Sequence, residues 1–268
     1  MKRIIAIRAF PAGLFSSNRK DLGWLLSYVY LFYIFIGQLP FLREMGVFST
    51  IISSFLMICI YVISSILILG LRSSAKFFII AAVVGSGMEL LSLDTGFPFG
   101  RYYYTAELGP LLGQLPVFIP LLWASLSFYA YMAGGRYGMP FLMVFMDLAL
   151  DPRLSGHLWI WVSSTQYFGD PVTNFVGWFV TAAIIILFFS MTEMNTVEIG
   201  LPAIGFYALS GLNECILDIY AELQVPALIS AMIFVASTLV LLYLYRRKKH
   251  ERTVKGDGGH SPSEKAAS

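Results

Sequence analysis

Apolar residues run through this chain in long blocks separated by short polar or basic clusters, and the blocks have the length of membrane-crossing helices. They lie near 22–39, 47–70, 76–92, 115–133, 137–151, 172–192, 198–219 and 223–245. A hydrocarbon core roughly 30 Å thick takes about 20 helical residues, so the pattern predicts an all-α, polytopic integral membrane helix bundle of about eight transmembrane helices. The fifth block is the shortest. Arg136 and Pro140 bound it on one side and Pro152 on the other, which predicts a tilted, partly re-entrant or sheltered segment. Residues 1–245 read as one transmembrane helical domain, and the polar, charged run 246–268 as a disordered, basic cytoplasmic tail.

Composition agrees: 57% of the 268 residues are hydrophobic and 13% charged, too apolar to coat a soluble protein. With eight spans, one side collects Lys2, Arg3, Arg8, Arg19, Lys20, Arg72, Lys76, Arg136 and the basic tail, while the other holds Arg43, Arg101 and Arg153. Basic residues stay on the cytoplasmic side, so both termini are expected there, in a multi-pass cell-membrane protein. Arg8 interrupts the N-terminal apolar run and no small-residue cleavage site follows the first long block, so an uncleaved first helix is expected. The net charge of +2 reflects this topology. The lipid bilayer is the expected partner and no nucleic acid is, because no basic stripe is present. Cys59, Cys215, His157, His250 and His260 form no metal-binding spacing, and no phosphate loop or nucleophile elbow occurs, so neither metal nor cofactor is expected.

The chemistry therefore rests on acids within apolar helices, where carboxyl groups are costly and usually functional. Glu89 lies near the end of the third block, Asp147 and Asp151 close the fifth, and Glu214 and Asp218 close the seventh. Spacing of i, i+4 stacks each pair on one helix face. Acids crowded at one depth cannot all be ionised cheaply, so at least one is expected to donate a proton near neutral pH. The alternative is that Asp147 and Asp151 face water or pair with Arg101 and Arg153. Two long connections on the acid-bearing side are aromatic: one holds Tyr102, Tyr103 and Tyr104, the other Trp159, Trp161, Tyr167 and Phe168. Singly, such residues suit a membrane-interface belt; together they are placed to roof a pocket. Asn174 and Trp178 are i, i+4 partners opening the sixth helix, where Gly177 permits close approach.

The segments GMELLSLDTGFPFGRYYYTAELGPLLGQLPVFIPLLW, MDLALDPRLSGHLWIW and YFGDPVTNFVGWF, in that order, resemble the carotenoid biosynthesis membrane proteins whose characterised members are carotenoid hydratases. The specific likeness runs from Gly87 to Phe179, and a looser one continues through Glu214 and Asp218. It implies a membrane enzyme that adds water to the terminal double bond of an acyclic carotenoid end, giving a tertiary alcohol without a redox cofactor. Its substrate would be a carotenoid or other long isoprenoid, and other carotenoid-pathway enzymes are candidate partners.

Hydration of a trisubstituted olefin needs a strong acid in a dry place and stabilisation of a tertiary cation, which matches the residue types above. The candidate catalytic residues are Asp147, Asp151, Glu214, Asp218 and Glu89; the candidate substrate-binding residues are Tyr102, Tyr103, Trp159, Trp161, Asn174 and Trp178. Two rivals share the same residues. A membrane prenyl transferase would use the D-x-x-x-D and E-x-x-x-D pairs to hold magnesium and a diphosphate, although this side offers only three arginines to the phosphates. A proton-coupled transporter or lipid-binding membrane protein would use the acids as a relay.

Overall fold

Apolar runs free of turn-forming residues satisfy their backbone groups internally as helices, and helix dominates the fold. The computed structural model describes residues 12–37, 50–163, 165–192 and 199–257. Among them are seven helices: α1 (Ala12–Gly37), α2 (Thr50–Leu69), α3 (Leu71–Thr95), α4 (Ile119–Leu154), α5 (Val172–Thr192), α6 (Leu201–Tyr220) and α7 (Gln224–Asp257). Between α3 and α4 lie β1 (Tyr102–Tyr104), a turn of 3-10 helix, and the hairpin of β2 (Leu111–Leu112) and β3 (Leu115–Pro116); β4 (Trp159–Trp161) follows α4. Residues 38–49 with Arg43, the basic residues Lys2, Arg3 and Arg8, and the tail beyond Asp257 lie outside the described residues.

Three helices, Leu71–Thr95, Val172–Thr192 and the Gln224–Thr253 part of α7, are long and apolar enough to cross a membrane. Their outward surface is apolar as well. Leu228, Met232, Val235 and Leu239 form a stripe at i, i+4, i+7 and i+11 along α7, each more than half exposed. Exposed apolar area on that scale marks a membrane protein. Small polar residues sit inside instead: Ser27 Oγ lies 2.6 Å from Tyr129 Oη and donates to the Gly23 carbonyl, and Ser65 and Ser74 are hydrogen-bonded to each other across the α2–α3 turn. Such contacts let helices approach closely where lipid supplies no hydrophobic drive.

α4 is central and packs against α2, α3, α5, α6 and α7. Its ladder breaks at Gly135, whose φ of 61° and ψ of −164° no other residue type adopts readily. The break falls between the two segments expected at 115–133 and 137–151, and the chain doubles back there. Leu126 and Leu150 line the same cavities, whereas a straight helix would place them roughly 36 Å apart. The second arm continues past Pro152 to Leu154. Proline deprives the carbonyl four residues back of its donor, and here the hydroxyl of Tyr167 donates to the Leu148 carbonyl at 3.2 Å.

Two ends differ from the composition-based expectation. α1 begins at Ala12, ten residues before the apolar block at 22, because exposed Arg19, Lys20 and Asp21 are compatible with helix. α7 runs through Arg246–Lys249 to Asp257, with Arg247 and Glu251 paired at 2.9 Å on its surface one turn apart.

Candidate active site

The two aromatic connections form one structure. β1 and β4 pair antiparallel, with Tyr102 opposite Trp161 and Tyr104 opposite Trp159. Surrounding bonds fix the register: Thr105 N–H donates to the Leu158 carbonyl at 3.0 Å, Val162 N–H to the Arg101 carbonyl at 2.7 Å, and Arg101 N–H to Ser163 Oγ at 2.6 Å. Side chains alternate along a strand, so Tyr102 and Tyr104 turn inward together and Tyr103 faces out, 54% exposed. Beneath this ribbon is a cavity of about 130 Å³. Its roof is Tyr102, Tyr104, Trp159 and Trp161, and its floor includes Phe99, Trp123 and Trp178, which pack as a row with ring centroids 5.9 and 4.5 Å apart.

The polar groups on the wall of this apolar space are few. Asp151, on the second arm of α4, faces the cavity, and Asp147 sits one turn deeper, fully buried. A single amide joins them: Asn174 Nδ2 donates to Asp147 Oδ2 at 3.0 Å and to Asp151 Oδ2 at 2.6 Å. Asp147 Oδ1 is buried without a hydrogen-bond partner among the described residues. Two carboxyls held against one neutral donor, with no cation between them, are suited to share a proton.

Glu89 faces the same cavity from α3, in different company. Trp123 Nε1–H donates to its Oε1 at 2.8 Å, and its Oε2 accepts from Tyr104 at 2.9 Å and from Tyr102. Burial pushes both phenols well above the ordinary tyrosine range, so they remain neutral donors. A carboxylate receiving three hydrogen bonds can carry its charge in a dry site.

Among the expected site residues, Glu89, Asp151, Tyr102, Trp159, Trp161, Asn174 and Trp178 therefore meet around one cavity with Asp147 behind them, and Tyr103 lies on the outer face. The α6 acids are elsewhere. Arg153 forms an ion pair with Glu214 and lies 3.5 Å from Asp218, so it serves these acids and not Asp147 or Asp151. Among the described residues, no group of three or more His, Cys, Asp or Glu is disposed to hold a metal ion. Because the pair is largely shielded from water, Arg153→Met should leave uncompensated buried charge and lower stability by about 3 kcal/mol. Thermal unfolding in detergent checks this. Glu214→Gln in the same chain should recover part of the loss, and an unchanged midpoint for Arg153→Met alone would reduce the pair to a surface contact.

Three further residues belong to the site. Tyr104 and Trp123 hold Glu89, and fully buried Asp170 accepts a 2.7 Å hydrogen bond from Trp161 Nε1–H, which orients that indole in the roof. Burial pushes the Asp170 carboxyl up to about 6. Period-two alternation through Tyr102–Tyr104 was the available signal for Tyr104. For Asp170 it was the second Asp-Pro step, at 170–171, matching the one at 151–152. Trp123 gave none, since it continues an apolar run.

The sequence profile of a family described as carotenoid biosynthesis protein matches residues 45–240. The bisanhydrobacterioruberin hydratase of Haloarcula japonica is 30% identical over 118 residues, 38% of this chain and 40% of that protein. The match thus spans less than half the length of that curated relative. No solved structure matches the chain.

Proposed function

The chain belongs to the carotenoid biosynthesis protein family, and we propose that it is a carotenoid hydratase, adding water across the terminal double bond of an acyclic carotenoid end group to give a tertiary alcohol. The observation that carries the reading is the Asp147–Asn174–Asp151 bridge at the wall of an aromatic cavity. In this reading the protonated member of the pair gives its proton to the less substituted alkene carbon. The π electrons form the new C–H bond and leave a tertiary cation.

The faces of Trp123, Trp159, Trp161 and Trp178 surround that cation without attacking it, and the Glu89 carboxylate offsets its charge. Water then forms the C–O bond, and the proton it sheds returns to the ionised aspartate, restoring the acid. Asp151 is the donor because it faces the cavity; Asp147 positions it and shares the proton. Because the added water supplies both hydrogen and oxygen, the net reaction consumes no oxidant or reductant.

Expressed in a host that accumulates lycopene, the protein should yield a more polar pigment heavier by one water. Its visible spectrum should be unchanged, because the hydrated bond lies outside the conjugated system. Mass spectrometry should find the new oxygen labelled from isotopic water and not from isotopic dioxygen. Recovery of several acyclic carotenoids unchanged, with protein folded in the membrane, would end this reading.

A further inference from the structure

We infer that the protein holds more than the reacting end of its substrate: the conjugated chain behind that end lies in a second cavity, of about 170 Å³, beyond Leu126 and Leu150. The identity of the ligand rests on the hydratase reading. The two cavities have these two leucines in common, one from each arm of α4. Both are half-buried and border both spaces, so a change of rotamer at either would widen the link between them. Leu150 directly precedes Asp151, which places the partition beside the proposed proton donor.

The lining of the second cavity fits a flat conjugated rod. Tyr129 lies with its centroid 4.3 Å from that of Phe206, at an interplanar angle of 27°, and Tyr61 meets Tyr129 at 4.4 Å. The hydroxyl of Tyr129 is occupied by Ser27, so what the tyrosine contributes is its ring. Stacked rings give a polyene broad, polarizable contact, and the charged or amide-bearing part of the lining, Asn213 and Glu214, lies on α6 beside Ser210, with Glu214 already paired to Arg153. A polyene cannot coil inside the first cavity, which has room for an end group; the rest of a rigid rod must pass through a wall. The shared leucines provide that passage, and the Gly135 reversal that sets the two arms side by side creates it.

Ser210 lines the second cavity and lies outside the first, so it reports on this space alone. In full-length protein carrying Cys59→Ser and Cys215→Ser, Ser210→Cys should react with a membrane-permeant maleimide about tenfold more slowly when lycopene is present, because bound pigment covers it. Leu209→Cys, on the exposed side of the same helix at 46% exposure, should react equally with and without pigment. Filling the space with Ser210→Trp should lower lycopene conversion by about tenfold or more. Equal labelling of Ser210→Cys with and without pigment overturns the inference, as does full conversion by Ser210→Trp. The two proposals fail separately: protection of Ser210→Cys without any hydrated product removes the hydratase reading and keeps the polyene site, and hydrated product without protection does the reverse.

Discussion

Asp151→Asn is expected to lower turnover of the acyclic carotenoid by about 10³-fold while leaving the protein folded, the loss typical of a removed general acid. The substitution keeps the shape of the side chain, and its carbonyl oxygen can still accept from Asn174, as the carboxylate does at 2.6 Å. It removes the only acidic proton on that wall that belongs to the Asp147–Asp151 pair. Asp147→Asn should cost less, about 10²-fold, because Asp147 lies behind the cavity and acts through its neighbour. Neither change should lower the unfolding midpoint, since each exchanges a buried acid for a neutral amide that needs no counter-charge. Product formation per folded protein, with thermal unfolding alongside, separates chemistry from stability. Activity within a few-fold of wild type in both variants would remove the carboxyl mechanism and leave the bridge as a structural tie between α4 and α5.

The part of the site most legible in the sequence was the part a single helix determines. Asp147 and Asp151 are four residues apart in an apolar run, and helical geometry alone puts them on one face. Asn174 could be noticed as a polar residue in a span, but its bridge between the two acids depends on how α5 packs against α4, which no local spacing encodes. The aromatic loops were legible as a roof by composition. Their pairing was not, because two three-residue strands more than 50 positions apart carry almost no periodicity. That pairing decides that Tyr104 and not Tyr103 faces the cavity. Glu214 and Asp218 show the reverse limit: their spacing matched the α4 pair, yet Arg153, at the end of α4, turns them into an ion-pair cluster. Among the elements of the fold, the apolar blocks located the helices well and their ends poorly. The reversal was legible as the gap between the blocks at 115–133 and 137–151, but Gly135 as its pivot was not, because Gly134, Gly135 and Gly138 offer three flexible positions in one stretch and only the fold selects among them.

Gly85→Ala should damage the site more than any surface change and should do so through packing alone. A methyl group at Gly85 would stand 2.5 Å from Trp123 Cγ and 2.7 Å from Trp123 Cβ, atoms too near the α4 backbone to swing aside. Either α3 and α4 separate or Trp123 leaves its place, and overpacking of this kind costs about 1–3 kcal/mol. Trp123 donates to Glu89 and stacks on Phe99 and Trp178, so its displacement disorders the floor and loosens the carboxylate together. Gly177 plays the same part from α5, where an added methyl would meet the Phe99 ring at 2.3 Å. The control lies two residues along α3: nothing comes within 4 Å of a methyl at Gly87, so Gly87→Ala should be neutral or stabilise the helix by up to about 1 kcal/mol. Trp123→Gly removes both contacting atoms, so in that background Gly85→Ala should cost no further stability, while turnover stays low because Glu89 lacks its indole donor. If Gly85→Ala and Gly87→Ala prove equally active and equally stable, α3 does not hold Trp123 against the cavity, and the close seating of these two helices has no part in shaping the site.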